Sequence, residues 1–409
     1  MDIYHERLVD PLISRMLAEL PAVLIVGPRA VGKTTTAQRY ASATVRLDHD
    51  VEAAAFRVDP DSALAGMPEP ILLDEWQAVP GVLGAVKRAV DTARSPGRFI
   101  VTGSVRSNPD VATWAGTGRL TWMDMYPLTV SEQLGIPTRP LFERIVCGEE
   151  LQAAQDSPDL RGYIDLVLRG GFPEVALGLS EPLRSRWLRS YIRQVVERDA
   201  QDLETGRDPV RLGRYFEAYA LNSAGLVNDK TIYTAAGVSR ETARTYHRLL
   251  SDLRIIEDLP AWSSNRLVRL VKTPKRYLID PALLGVVTGA TTATVISDGD
   301  LMGRMIETFV VAQLRAEAAV SDLYPRLYHL RDAQGRHEVD VIAELDGRRV
   351  VAIEVKPTGA PKPSHARHLR WLRERLGDRF VAGVVLHTGP RSFKLEERIS
   401  AAPISTLWA

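Results

Sequence analysis

Apolar residues are distributed along the chain in three rhythms, and each predicts a different kind of element. Unbroken runs of strand length occur at 22–26 (AVLIV), 71–73 (ILL) and 99–101 (FIV), the last inside a strand candidate at 98–102. Such runs fit strands of a parallel sheet covered on both faces. Another strand candidate lies at 44–47. Helical spacing governs the middle of the chain. Residues 212–226 place Tyr215, Phe216, Tyr219 and Ala220 on one side, 229–236 form a second helix candidate, and Ser239 is a good N-cap for a third at 240–253. Helix, short turn at Gly237 and capped helix make a helix-turn-helix pattern, and 255–259 with 266–279 can supply a hairpin after it. A further helix is expected at 302–318.

The third rhythm is strict alternation. Val339, Val341 and Ala343 alternate with Asp340, Ile342 and Glu344, and Val351, Ile353 and Val355 alternate with Ala352, Glu354 and Lys356. With Asp346-Gly347 between them, the two runs predict a β-hairpin. A two-residue turn would pair Asp340 with Ile353 and put Asp340 and Glu354 on opposite faces. A three-residue loop, 345–347 with its glycine left-handed, would pair Asp340 with Ala352, leave it diagonal to Glu354 and align the apolar faces. The three-residue loop is therefore expected.

Composition adds bounds. The 409 residues predict two or three domains, and 45% apolar with 25% charged residues is an ordinary globular balance. The 52 basic and 51 acidic side chains leave a net charge of +1, so affinity for a polyanion must come from a local patch. The single cysteine, Cys147, excludes an intramolecular disulfide and favours a reducing, cytoplasmic setting. No apolar run approaches the roughly 20 residues of a membrane span, so no membrane partner is expected.

The first strand leads directly into Gly27-Pro28-Arg29-Ala30-Val31-Gly32-Lys33-Thr34, followed by Thr35 and a helix candidate. This is the full G-x-x-x-x-G-K-T phosphate-binding loop. Its backbone N–H groups can wrap the phosphates of ATP, Lys33 reaches the terminal phosphates, and the Thr34 hydroxyl can ligate Mg²⁺. The run 71–73 ends in Asp74-Glu75, where the first carboxylate suits Mg²⁺ and the second can polarise an attacking water. Thr102-Gly103-Ser104 puts hydroxyls at another strand end, where they either sense a γ-phosphate or water or simply turn the chain. Arg119, in Gly116-Thr-Gly-Arg119, is either a phosphate-directed charge, in cis or across subunits of a homo-oligomer, or an ordinary surface arginine.

GPRAVGKTT, LLDE, FIVTGS, GTGR with YPLTVSE, GGFPE at 170–174 and VERD at 196–199, in this order, resemble a group of bacterial and archaeal AAA-superfamily ATPases. That group carries a C-terminal domain of unknown function with a restriction-endonuclease-like region. The resemblance covers about 20–356 and implies an ATPase in which Lys33, Thr34, Asp74 and Glu75 occupy nucleotide and Mg²⁺ positions, Thr102 is a sensor and Arg119 a candidate finger. In the C-terminal region, Asp340, Glu354 and Lys356, with Glu307 on the preceding helix, match the PD-(D/E)xK nuclease pattern. There, three carboxylates hold one or two divalent metals, Mg²⁺ or Mn²⁺, and the lysine polarises the nucleophile or phosphate. A surface Glu–Lys pair on a strand is the plainer alternative.

The expected fold is α/β: a doubly wound, P-loop AAA-type parallel sheet (1–140), a helical connector (141–210), a winged-helix module (211–290) and a nuclease-like α/β domain (291–409). Between Arg266 and Arg276 there is no Asp or Glu, and Arg266, Arg269, Lys272, Lys275 and Arg276 join Arg240, Arg244, His247 and Arg248 as candidate DNA phosphate contacts. The expected activity is Mg²⁺-dependent ATP hydrolysis coupled to a DNA-associated role. Two alternatives stand beside it: a metal-dependent nuclease gated by ATP, and a nucleotide-switched protein-binding scaffold whose nuclease-like domain is inactive.

Overall fold

The computed structural model describes residues 4–103, 118–136, 138–199, 208–269, 272–332 and 334–409. Ser104, residues 115–117 and the Arg266 side chain lie outside the described set. The chain divides into two compact units, one of Met1–Tyr126 with Ser251–Arg254, the other of Pro127–Leu250 with Ile255–Ala409.

In the first unit, five parallel strands form one sheet: β1 (Ala22–Val26), β2 (Ala43–Arg46), β3 (Ile71–Asp74), β4 (Phe99–Gly103) and β5 (Thr121–Asp124), in spatial order β2-β3-β4-β1-β5. The apolar runs are buried because both faces are covered. Leu24, Leu73 and Val101 pack with Val82, Val86 and Val90 of the helix Val82–Thr92, while Val23, Ile25, Leu72 and Ile100 are equally buried. Helix α1 (Asp10–Glu19) precedes β1, and α2 (Lys33–Gln38) follows it. Strand β4 lies between β1 and β3, which brings the ends of three strands together.

In the second unit, α3 (Pro209–Ala220), α4 (Asp229–Ala235) and α5 (Arg240–Asp252) are helices near the three candidate positions. Asn228 caps α4 by accepting from Thr231 N at 2.9 Å, and Ser239 Oγ accepts from Thr242 N at 3.1 Å. The first helix stops at Ala220, short of the expected 226. Beyond it Ala224 adopts φ 57° and its N–H donates to Arg276 O at 2.7 Å, so this backbone serves a neighbouring strand rather than the helix. Strands β6 (Ile256–Leu259) and β7 (Lys275–Leu278) pair antiparallel, from Ile256 opposite Leu278 to Leu259 opposite Lys275. The expected second strand at 266–279 is thus reduced to its last part, and Arg266–Arg269 is a helical turn.

The C-terminal part packs α6 (Gly299–Val320) and α7 (Arg367–Leu376) with a six-stranded sheet. Its strands are β8 (Arg326–Arg331), β9 (Glu338–Glu344), β10 (Val350–Lys356), β11 (Phe380–His387), β12 (Phe393–Glu396) and β13 (Ile399–Pro403), in order β12-β13-β11-β10-β9-β8. β9 and β10 form the expected hairpin, but Glu344 faces Val350 and Val341 faces Ile353. The loop is therefore 345–349, two residues longer than expected. Gly347 is left-handed at φ 70°, as foreseen, but Arg348 is also at φ 60°, and Leu345 N closes the loop onto Arg349 O at 2.8 Å. The loop has an odd number of residues, which is what the aligned faces require. Its exact length depended on a second left-handed residue that no composition rule supplies.

Candidate nucleotide site and C-terminal carboxylate cluster

Residues Gly27, Pro28, Arg29, Ala30, Val31 and Gly32 link β1 to α2, which begins at Lys33 and continues through Thr34 and Thr35. Glycine is required at both ends of this loop. A Cβ on Gly27 would lie 2.2 Å from Met125 O, and Gly32 adopts φ 91°. The Lys33 ammonium folds back, donating to Gly27 O at 3.0 Å and Pro28 O at 2.8 Å. Burial pushes its pKa down to about 8, against the opposing charges of Glu75 and Asp74.

Around Asp74 the structure assembles three of the expected groups. Thr34 Oγ1 donates to its two carboxylate oxygens at 2.9 and 3.0 Å, and Thr102 Oγ1 donates to Oδ1. Thr102 in turn accepts from Glu75 N at 3.4 Å. Glu75 sits at φ 53°, and its carboxylate accepts from Gln77 Nε2. Gly103 leaves room for the Trp76 indole, whose Nε1 would be 2.6 Å from a Cβ there. Arg119 forms an ion pair with Asp91 at 2.7 Å.

Three contributors escaped the sequence reading. Buried Arg7 donates to Val31 O and to Tyr126 O, each at 2.8 Å, bracing the loop from behind, and Tyr4 OH reaches Thr36 Oγ1 at 3.2 Å. Acceptors 24 and 119 positions away leave no periodic trace. Arg254, held at φ 57°, pairs its Nη1 with Asp124 at 2.6 Å, and Asp124 lies opposite Val26 beside the loop. The Arg254 side chain is 10% exposed, yet its Nε and Nη2 are buried without a hydrogen-bond partner. Its charge is among those that depress Lys33. A buried guanidinium with unmet donors is costly unless an anion completes it.

In the second unit, Glu307 on α6, Asp340 on β9, and Glu354 and Lys356 on β10 do converge, but around a fifth side chain. Lys275 Nζ lies 2.5 Å from Glu307 Oε1, 3.2 Å from Asp340 Oδ1 and 3.7 Å from Glu338 Oε1. Lys356 Nζ pairs with Glu354 at 2.8 Å and stands 4.0 Å from Asp340. Asp340 Oδ2 also accepts from Val355 N at 2.9 Å, and Tyr277 OH donates to Glu307 Oε1 at 2.6 Å. Burial alone would push Lys275 down, but Glu307 and Asp340 hold its pKa well above the usual lysine range. Burial, with Asp340 adding to it, raises Glu354 to about 8. The residues do not fit the second divalent metal: the Lys275 ammonium pairs with both Glu307 and Asp340, and Lys356 holds Glu354. Among the described residues no group of three or more His, Cys, Asp and Glu is arranged to hold a metal ion.

The basic patch is largely dismantled by the same packing. Lys275 is in the cluster, Arg276 pairs with Asp229, and Arg269 pairs with Glu344 at 2.5 Å. Their acidic partners lie far away in sequence, so the acid-free stretch gave a false impression of free charge. His247 pairs with Asp258 at 3.1 Å, and Lys272 Nζ donates to Arg331 O at 3.1 Å. Arg240, Arg244 and Arg248 remain exposed along one side of α5.

Comparison with known proteins finds three family models along the chain. Residues 19–134 match an AAA domain model, 160–294 match a domain of unknown function (DUF8612), and 302–407 match another (DUF4143). The chain is 28% identical over 398 residues, covering 96% of it and 82% of each relative, to uncharacterized proteins of Mycobacterium bovis (Mb2031c) and Mycobacterium tuberculosis (Rv2008c). The Walker-type ATPase PABY2304 of Pyrococcus abyssi aligns over 70% of this chain and 96% of its own at 14% identity, with a TM-score of 0.42, too low to carry an argument. No helix among the described residues is long and apolar enough to cross a membrane. With the AAA match lying over the five-stranded parallel sheet, the chain carries a P-loop ATPase domain of the AAA type.

Proposed function

We propose that the chain hydrolyses ATP with Mg²⁺ and couples this to a DNA-associated role. The observation that carries the first half is the hydrogen-bonded set Thr34, Asp74 and Thr102 beside a desolvated Lys33. Bound MgATP would supply the phosphoryl group and a divalent charge to neutralise it. Gly27, residues 29–32 and Thr35 would then present backbone N–H groups, Lys33 would leave its loop carbonyls for the terminal phosphates, and Thr34 and Asp74 would hold the metal. Glu75 orients and deprotonates the attacking water, with Thr102 fixing both Asp74 and the Glu75 backbone. Arg254 completes the phosphate site by offering its unmet Nε and Nη2 donors, beside Arg119 as the candidate finger, in cis or across subunits of a homo-oligomer. Lys33→Ala should abolish turnover measured as phosphate release; undiminished release would remove the central claim.

The DNA-associated half rests on α4 and α5 as a winged-helix module presenting Arg240, Arg244 and Arg248. A second reading, the nucleotide-switched scaffold with an inactive nuclease-like domain, is favoured by Lys275 pairing with Glu307 and Asp340 while Lys356 pairs with Glu354. Under the remaining reading, an ATP-gated nuclease, Lys356 and the three carboxylates would cut DNA. Incubation with DNA, Mg²⁺ or Mn²⁺ and ATP separates them: nicking lost in Asp340→Ala supports the nuclease, DNA-stimulated ATP hydrolysis without nicking the first reading, and indifference to DNA the scaffold.

A further inference from the structure

The carboxylates that a nuclease-like site would give to a metal are each paired with an ammonium group from within the chain. β7 presents Lys275 and Tyr277, two residues apart and therefore on one face of the strand, to the same carboxylate, Glu307. Lys275 directs its ammonium at Glu307 and Asp340, and both Asp340 oxygens are engaged, one by Lys275 and one by Val355 N. Glu354 Oε1 is buried without a hydrogen-bond partner, while its Oε2 holds Lys356. A divalent ion needs several oxygens converging at about 2.0–2.6 Å. Here it would have to enter beside two ammonium groups and take oxygens from their hydrogen bonds, with Coulomb repulsion at short range in a poorly hydrated interior.

We propose that Lys275 is the resident cation between Glu307 and Asp340, so that the Glu307–Asp340–Glu354 cluster takes no divalent metal unless that ammonium is removed. The cluster is then a latent metal site, and its oxygens select cations of the Mg²⁺ and Mn²⁺ class once it is opened. Lys275 belongs to the β6–β7 pair and the carboxylates to α6, β9 and β10, so the same charge that closes the site also ties these elements together. The inference is independent of the ATPase reading, because it concerns the nucleotide-free chain.

Titration of the full chain with Mn²⁺, following the free ion by electron paramagnetic resonance without nucleotide, tests it. In an otherwise wild-type chain, Asp340→Asn should leave Mn²⁺ binding unchanged. Lys275→Met, which keeps the length of the side chain and removes its charge, should gain one Mn²⁺ per chain, at least tenfold tighter than any wild-type ion, and Lys275→Met with Asp340→Asn should lose it. A wild-type Mn²⁺ ion abolished by Asp340→Asn would overturn the proposal. So would a folded Lys275→Met, with its circular dichroism and melting transition retained, that gains none. Should that variant fail to fold, acetylation of wild-type lysines read by mass spectrometry decides. Lys275 should stay protected equally with and without millimolar Mn²⁺, and Mn²⁺-induced labelling would show displacement and sink the idea.

Discussion

At the scale of single residues, the nucleotide site is defined by two cations in unusual states. Lys33 is buried and held near pKa 8, below the 10.5 of a free lysine. The free protein therefore releases the Lys33 proton as pH rises through about 8, whereas a bound polyphosphate restores the charged form. ATP binding at pH 9 should take up part of a proton, and at pH 6.5 none from this residue. Calorimetry in two buffers of different ionisation enthalpy measures the uptake, and equal heats at pH 9 would contradict the assignment. For folding, the sign follows from the depressed value. Between about 8 and 10.5 the unfolded chain holds the proton the folded one has lost, so this group's contribution to stability rises with pH across that window. Arg254 is the second cation. Its unmet Nε and Nη2 lead to the expectation that Arg254→Ala weakens binding of a fluorescent ATP analogue at least tenfold and of the ADP analogue much less. Equal loss for both would assign Arg254 to holding Asp124 alone, and Lys33→Ala supplies the control that separates this from failure of the site as a whole.

At the scale of elements, the strands and helices were legible wherever one periodicity acted alone. Ala22–Val26, Ile71–Asp74 and Phe99–Gly103 lie where unbroken apolar runs placed them, because a strand covered on both faces has only one solution. Helix α3 and the β9–β10 loop departed from expectation at Ala224 and Arg348, non-glycine residues with positive φ, whose conformations are imposed by what they pack against. Helix α5 carries Arg240, Arg244 and Arg248, four residues apart and exposed. If it binds DNA, replacing all three with alanine should weaken binding to duplex DNA and lower the slope of log affinity against log salt by about 0.9 for each phosphate no longer neutralised. An unchanged slope in a fluorescence-anisotropy titration would reject α5 as the DNA-binding element.

For the molecule as a whole, a net charge of +1 concealed a pattern of internal pairing rather than separate basic and acidic territories. Arg269, Lys275 and Arg276 read as one free patch because their acids, Glu344, Glu307, Asp340 and Asp229, are distant in sequence. The glycine-rich loop between β1 and α2 was legible because its signal is local: glycines, lysine and threonine fall within eight consecutive positions. The acidic strand end at Asp74 and the hydroxyl at Thr102 were legible as candidates, and strand order joined them by placing β4 between β1 and β3. By itself, then, the sequence determined the phosphate loop, the strands behind it, the capped helix pair and the odd-numbered hairpin loop, all consequences of periodicity and local backbone preference. The tertiary structure alone decided that Arg7 braces the loop, that Arg254 faces it, and that Lys275 fills the carboxylate cluster. Each depends on charges meeting across many residues of chain, where only the packed fold fixes which of many partners is close enough to hold.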